Sequence, residues 1–164
     1  MSNIGIYPGT FDPITYGHVD VIRRSLKIVK KLIIAVSNDN TKDCLFSADE
    51  RVAIIKESLF KDLNFKRQSI KIVSFNTLTT SLCLKYKATI IFRGLRAVSD
   101  FEYEFQLAGM NRKLDDRIET VFLMSDPENQ IISSRFVKEI AKLKGKISNF
   151  VTKSTVKQIK VKYD

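Results

Sequence analysis

The segment formed by residues 4–18 constrains the fold more than any other part of the sequence. Residues 4–7 are a short apolar run, which is typical of a buried strand. Pro8-Gly9 is predicted to end that strand, because proline lacks an amide donor and glycine tolerates positive φ. From Gly17 onwards the apolar residues recur at helical spacing. The segment therefore predicts a strand, a compact loop and a helix.

The start of this helix is a candidate phosphate site. The first amides of a helix are unpaired and carry a partial positive charge, which favours phosphate. His18, the only histidine in the chain, lies in the first turn. The glycine spacing fits neither the G-x-x-x-x-G-K-[ST] loop nor the G-x-G-x-x-G fingerprint. What remains is Thr15-x-Gly17-His18, with Thr10 and Phe11 upstream. On that tetrapeptide alone, two interpretations of His18 are equally good: a part of a phosphate site, or a histidine satisfied by local hydrogen bonds at a helix cap.

The rest of the chain alternates between strand and helix patterns. Further strands are predicted at residues 31–37, 70–75, 89–92 and 120–124, and helices near residues 47–59, 79–86, 100–114, 133–143 and 152–163. In the helix that Ser133 or Ser134 caps, Phe136, Val137, Ile140 and Leu143 are expected to face the core. This order predicts a single Rossmann-like α/β domain over residues 1–164, with a five-stranded parallel sheet and helices on both faces.

The polar segments all follow predicted strands. They span residues 8–18, 38–46, 93–96 and 125–135. Because ligands of such sheets bind at the carboxyl ends of the strands, these segments should meet at one edge.

Composition limits the class of protein. The net charge of +10 could indicate nucleic-acid binding, but the lysines are scattered rather than clustered. A basic nucleic-acid-binding module is therefore the alternative from another class, and it would bind duplexes with an affinity that falls steeply with salt. No apolar run reaches the length of a membrane span, and no secretory signal is visible. Cys44 and Cys83 lack metal-ligand spacing, so we interpret them as free thiols of a cytoplasmic protein.

Several basic and hydroxyl side chains are candidates for binding phosphate. Arg93 and Arg96 follow an apolar strand, and guanidinium groups present a planar fork of donors suited to phosphate. Lys42 lies in the loop after the second strand and would by itself be an ordinary surface lysine. Ser133 and Ser134 stand at a helix start, where an ordinary N-cap is the simpler interpretation.

Taken together, these segments resemble the bacterial phosphopantetheine adenylyltransferases of the nucleotidylyltransferase superfamily, over nearly the whole chain. The matching stretches are residues 7–18, 93–104, 106–108, 110–112, 132–134 and 137–139. The resemblance implies direct in-line transfer of AMP from ATP to 4′-phosphopantetheine in coenzyme A biosynthesis, with Mg²⁺ bound with ATP. It also implies a homohexamer, no nucleic-acid partner and no membrane association.

The resemblance also implies roles for individual residues. His18, Lys42 and Arg93 would be catalytic, and no protein side chain would be a metal ligand. The acceptor phosphate would be held by Thr10, Lys42 and Arg93, with Thr79 against the pantetheine arm. The implied ATP contacts are Thr10, Phe11, His18, Gly94, Leu95, Arg96, Glu104, Asn129, Gln130, Ile131, Ile132, Ser133, Ser134 and Arg135.

Two positions depart from the family pattern. Arg135 stands where a third serine is usual, and Asn129 stands where an aromatic residue is often found. The nearest enzymatic alternative is another small nucleotidylyltransferase, such as one that acts on nicotinamide mononucleotide. The match of residues 93–104 to the phosphopantetheine adenylyltransferase pattern argues against this alternative. The nucleophile in the expected reaction is a phosphate oxygen that is already ionised, so no general base is required.

Overall fold

The computed structural model describes residues 3–39 and 43–164 of the 164-residue chain. The strands are β1 (Ile4–Gly9), β2 (Lys31–Ser37), β3 (Ile70–Phe75), β4 (Ile90–Leu95) and β5 (Glu119–Met124). The α-helices of the described part are α1 (Tyr16–Ser25), α2 (Ala48–Glu57), α3 (Thr79–Tyr86), α4 (Val98–Leu114), α5 (Ser134–Lys142) and α6 (Lys153–Tyr163). A π-helical turn at Ser58–Asp62 continues α2.

The five strands form one parallel sheet in the order β3-β2-β1-β4-β5. The chain builds outward from β1 to β3 and then crosses back to lay β4 on the other side of β1. The strand order therefore reverses between β1 and β4, which is where sheets of this type bind ligands. The predicted fold class is confirmed. In the part of the chain that the structure describes, the helices are too short or too polar to cross a membrane.

Apolar side chains leave alternate faces of the sheet and form two cores. Ile6 and Ile33 pack with Leu82 of α3 on one face. On the other face, Ile34 and Phe92 belong to a larger core that is shared with α1, α2, α5 and α6. Parallel strands that are covered on both faces in this way appear in the sequence as continuous apolar runs. The predicted placement of helices on both faces is confirmed.

Two strands run farther than the sequence predicts. β1 continues through Pro8 and Gly9, which pair with Ala35 and Val36 of β2. The prediction that Pro8-Gly9 ends the strand was wrong, because β2 supplies pairing along that side while pairing with β4 covers only Gly5 and Ile6. β4 likewise continues to Leu95, so Arg93 lies within the strand rather than after it.

The sequence predicts where the helices start more accurately than it predicts which of their side chains are buried. The helix predicted near residues 47–59 opens with a capping box formed by Ser47 and Glu50, whose side-chain to backbone hydrogen bonds are 2.8 and 3.2 Å long. In α5, however, Val137 is buried whereas Phe136 and Leu143 are 56% and 83% exposed. The expectation that those two side chains face the core was wrong, because α5 packs into the core only with the stripe that carries Val137 and Ala141.

Candidate active site

A cleft of about 480 Å³ opens at the carboxyl ends of β1 and β4, between the starts of α1 and α5. It brings together most of the residues that the sequence predicts to contact ATP. Those that line it are Thr10, Phe11, His18, Gly94, Arg96, Glu104, Ile132, Ser133, Ser134 and Arg135. Arg93, which is predicted to hold the acceptor phosphate, lines it too. The predicted convergence of polar segments at this edge is therefore present in the structure.

The imidazole of His18 closes the first turn of α1. The Thr15 backbone amide donates to His18 Nδ1 over 3.0 Å, and the Thr15 hydroxyl lies 3.0 Å from the same nitrogen. Because Nδ1 accepts a hydrogen bond from an amide, the proton of the neutral ring belongs on Nε2. The helix cap that was the alternative interpretation of His18 is therefore present in the structure. It leaves Nε2–H as a donor on a ring that lines the cleft.

The charge state of His18 follows from its surroundings. Loss of hydration at the cleft wall, followed by the positive charges of Arg96 and Arg93, lowers the pKa of His18 to about 4. Each of these influences disfavours the protonated ring. At neutral pH and without a bound anion, His18 is therefore a neutral hydrogen-bond donor.

Arg93 is held rigidly at the bottom of the cleft. Its Nε and Nη2 donate to the two carboxylate oxygens of Glu104 over 2.7 and 2.5 Å, and its Nη1 donates to the Pro8 carbonyl over 2.8 Å. Burial would lower the pKa of Arg93, but the hydrogen bonds and charge of Glu104 raise it above its ordinary value. The guanidinium has five N–H groups, so donors remain after these three bonds. Glu104 and Arg93, predicted to bind different substrates, contact each other here.

The remaining basic and hydroxyl groups surround the cleft mouth. Arg96 Nη1 lies 3.4 Å from the Ile132 carbonyl, which links β4 to the segment before α5. Ser133 caps α5, and Ser134 Oγ donates to the Pro13 carbonyl over 2.7 Å. The Arg135 side chain is 85% exposed and pairs with Glu139 one turn later. The Ser134–Pro13 hydrogen bond links the two helix starts across the cleft.

Phe11 supports the cleft from below. Its φ is +52°, and its ring is 2% exposed, with centroids 5.2 Å from Tyr7 and 5.0 Å from His18. A Cβ on Gly9 would lie 2.9 Å from this ring, so the loop closes only because Gly9 has no side chain. Any contact of Phe11 with a nucleotide must therefore come mainly from its backbone.

A second, smaller cavity of about 210 Å³ shares Thr10, Arg93 and Glu104 with the cleft. Thr79 lines it, together with apolar and aromatic side chains. Asn111 of α4 also lines it and is 8% exposed. No group in the described part of the chain forms a hydrogen bond with the Asn111 side-chain amide. A buried amide of this kind normally has a partner, so the cavity presents an unused donor and acceptor.

Sequence reasoning missed three polar residues of the site. Asp12, which the sequence places only in the loop between β1 and α1, is 4% exposed and accepts from the Leu45 and Phe46 amides and from Lys138 Nζ over 2.6 Å. Lys138 lines the cleft one turn after the predicted serines. The signals for Lys138 were its helical spacing from Ser134 and its place in the matching stretch of residues 137–139. Asn111 stands in the matching stretch of residues 110–112, but that match predicted no contact for it.

Other predicted contacts do not line the cleft in this structure. They are Leu95, Asn129, Gln130 and Ile131. Leu95 is buried in β4, and Ile131 is 76% exposed. The Asn129 carbonyl nevertheless lies 3.7 Å from where a Cβ on Gly17 would stand, beside the start of α1. Lys42 lies outside the described residues.

The donor groups of the cleft bear on how a metal ion could bind. Within residues 3–39 and 43–164 there is no group of three or more His, Cys, Asp or Glu side chains that could hold an ion. The carboxylates of Asp12 and Asp100 already face Lys138 and Arg96. Mg²⁺ prefers phosphate oxygens and waters with one or two carboxylates. The cleft therefore fits an ion that is carried mainly by ligand phosphates.

Solved structures of low sequence identity share this fold. A nicotinic acid mononucleotide adenylyltransferase from Plasmodium falciparum superimposes with a TM-score of 0.73 at 16% identity, over 99% of this chain and 96% of that one. A putative nicotinate-nucleotide adenylyltransferase from Vibrio parahaemolyticus gives 0.71 at 16% identity, over 98% and 93% of the two chains. At this identity the likeness concerns the fold alone.

Sequence relatives are more informative. The family model described as cytidylyltransferase-like matches residues 6–140. The phosphopantetheine adenylyltransferase of Pelagibacter ubique is 63% identical over 164 residues, which is the whole of both chains. The enzyme of the same name from Sphingopyxis alaskensis is 51% identical over 95% of this chain and 90% of its own. With a site of this geometry and relatives of this identity, the chain belongs to the cytidylyltransferase-like family and, within it, to the phosphopantetheine adenylyltransferases.

Proposed function

We propose that this protein transfers AMP from ATP to 4′-phosphopantetheine and releases dephospho-coenzyme A and pyrophosphate. The observation that carries the proposal is the pair of adjoining cavities that share Thr10, Arg93 and Glu104. The larger cavity has the hydrogen-bond donors that a triphosphate needs. The other is smaller and combines apolar side chains with the unpaired amide of Asn111, which suits an arm that contains amide groups. The relatives' shared name supports the same reaction.

The proposed chemistry needs no acid or base from the protein. A phosphate oxygen of the acceptor attacks the α-phosphorus of ATP, forming the new P–O bond while the bond to the β-phosphate oxygen breaks. The electron pair leaves on pyrophosphate. Because the nucleophile is already an anion, no proton has to be removed. Catalysis then consists of positioning the two substrates and stabilising the charge that develops on the oxygens of the α-phosphate.

His18 and the start of α1 are the proposed donors to the α-phosphate. Nε2–H is left as a donor on the ring because Nδ1 is engaged by Thr15. The amides at the helix start add a partial positive charge. A neutral His18 donates a hydrogen bond without losing its proton, and an approaching triphosphate would raise its pKa and strengthen that bond.

Arg93 is the proposed holder of the acceptor phosphate, together with Thr10 and Lys42. The Glu104 and Pro8 contacts fix the plane of the guanidinium at the junction of the cavities. The N–H groups that remain can contact a phosphate without breaking the Glu104 pair. A cation at this junction lowers the repulsion between two anionic substrates that must approach each other.

The surrounding groups complete the proposal. Arg96, Ser133, Ser134 and Arg135 stand along the cleft where the β- and γ-phosphates would extend, and Thr79 and Asn111 would contact the pantetheine arm. We propose that Mg²⁺ enters with ATP, and it would supply charge neutralisation on the leaving pyrophosphate.

We also propose that the protein assembles as a homohexamer in the cytoplasm, as the resemblance implies, and without a nucleic-acid partner. Several large apolar side chains on α4 are solvent-exposed in the single chain, which supports burial against other copies. They are Phe101, Tyr103, Phe105, Met110 and Leu114. Sedimentation at several protein concentrations tests the assembly, and a monomer at all of them would refute it.

Mass spectrometry of the products tests the reaction. Protein, ATP and Mg²⁺ are mixed with 4′-phosphopantetheine, with pantetheine lacking the phosphate, or with nicotinamide mononucleotide. Dephospho-coenzyme A should form only in the first mixture, because pantetheine lacks the nucleophile. Adenylylation of unphosphorylated pantetheine would refute the acceptor assignment, and turnover of the mononucleotide alone would favour the alternative substrate.

A further inference from the structure

Arg51 is a buried cation that the proposed reaction leaves without a role. It lies in the first turn of α2 and is 3% exposed. Arginine is almost never buried to this extent unless it is paired. None of the ion pairs among the described residues involves Arg51. Its charge is therefore offset by something other than a carboxylate.

Its partners are four backbone carbonyls. Arg51 Nη1 donates to Thr10 over 2.7 Å and to Ser37 over 2.8 Å. Arg51 Nε donates to Phe46 over 3.1 Å and lies 3.3 Å from the Ser47 carbonyl. These acceptors belong to the loop after β1, the end of β2 and the start of α2. One rigid, planar group thus fixes three segments relative to one another.

Two of those segments border the candidate active site. Thr10 lines both cavities, and Ser37 lines the smaller one. β1 ends at Gly9 and β2 at Ser37, so Thr10 has no place in the β1–β2 ladder. The Arg51 hydrogen bonds tie Thr10 to the sheet just beyond that end. Ser37 and Phe46 also flank the segment that carries Lys42 in the sequence.

We propose that Arg51 is a positioning residue for the acceptor phosphate. It fixes the Thr10 backbone against Ser37 at the junction of the two cavities, so that the groups of Thr10 meet the phosphate in one geometry. Its charge, not offset by a carboxylate, adds positive potential behind that junction. The inference rests on the proposed function of the site, since it concerns the phosphate that the acceptor brings.

The test compares the steady-state kinetics of Arg51→Met, Arg51→Lys and the wild type with both substrates. All assays are run at a temperature well below the lowest unfolding midpoint of the three proteins. Methionine keeps much of the stem and removes every donor. KM for 4′-phosphopantetheine should rise at least tenfold and kcat should fall roughly tenfold, the scale expected for a small misplacement. KM for ATP should stay within about twofold. Lysine keeps the charge but lacks the planar fork, so it should restore only part of the loss.

Ser58→Ala is the matched stability control. Ser58 is a buried residue at the end of α2 that forms hydrogen bonds with Thr152 and Thr155, and it lines neither cavity. Its substitution should lower the unfolding midpoint and leave both KM values unchanged. That result would separate a loss of positioning from a general loss of stability.

Three results would overturn the inference. Wild-type KM values in Arg51→Met would do so, as would an equal rise in KM for both substrates. If Arg51→Met does not fold, a wild-type acceptor KM in folded Arg51→Lys would serve as the refutation. A wild-type protein that forms no dephospho-coenzyme A would instead refute the proposed function, and the inference would fall with it. Because the wild type is assayed first, the two failures are distinguishable.

Discussion

The low pKa of His18 makes the stability of the fold depend on pH in a defined way. In an unfolded chain the ring titrates near 6.5, whereas in the folded protein its pKa is about 4. Between these values the unfolded chain binds more protons at this position than the folded one. The free energy of unfolding therefore falls as the pH falls through this window. The variant His18→Asn, which keeps an acceptor near the position of Nδ1, should remove this component.

The magnitude follows from the two pKa values. Each unit of difference corresponds to about 1.4 kcal/mol, so the full effect below pH 4 is about 3 kcal/mol. Most of it is present at pH 4.5, where the folded ring is still largely neutral and the unfolded ring is charged. Between pH 7 and pH 4.5 the wild type should lose about 2 kcal/mol more of its unfolding free energy than His18→Asn does. The carboxylates titrate in both proteins, so their contribution cancels in the comparison.

Two measurements check this. Urea unfolding at both pH values gives the difference in stability. Because the chain contains one histidine, the imidazole proton resonance in an NMR titration of the folded protein reports His18 directly. Its midpoint should lie near pH 4. A midpoint near 6.5, together with equal stability losses in the two proteins, would show that the cleft wall does not dehydrate the ring and that the neutral-donor argument is wrong.

The other predictions concern catalysis. His18→Ala should lower kcat by roughly a hundredfold or more, the scale for losing a donor to developing charge, while circular dichroism shows an intact fold; an unchanged kcat would remove His18 from the mechanism. Arg93→Ala should raise KM for 4′-phosphopantetheine more than KM for ATP, because Arg93 lies where the two cavities meet; the reverse order in steady-state kinetics would contradict its assignment. Arg135→Ser should raise KM for ATP roughly three- to tenfold with kcat little changed, and less so at high salt. The substitution removes only an exposed ion pair with Glu139, so steady-state kinetics at two salt concentrations suffice as the test. Unchanged KM and kcat at both salt concentrations would show that Arg135 only faces solvent.

The sequence by itself determined the elements and the place of the site. The order of strands and helices follows from local periodicity, which adjacent residues encode without reference to the rest of the chain. The capping boxes at Thr15–His18 and Ser47–Glu50 close within one helical turn, so they too could be read from short spacings. The position of the cleft then follows from topology, since parallel strands bring their carboxyl ends to one edge. The individual roles of residues came from the resemblance and remain predictions.

The tertiary structure decided which side chains meet within that site. Asp12 pairs with Lys138, 126 residues away, and Arg51 donates to Thr10, 41 residues away. Asn111 is buried in the second cavity, although its place in the matching stretch of residues 110–112 predicted no contact there. Even the end of β1 was decided by its neighbours, because β2 continues the pairing past Pro8. Contacts of this kind depend on how elements pack, and local sequence patterns carry no information about partners that only the folded chain brings together.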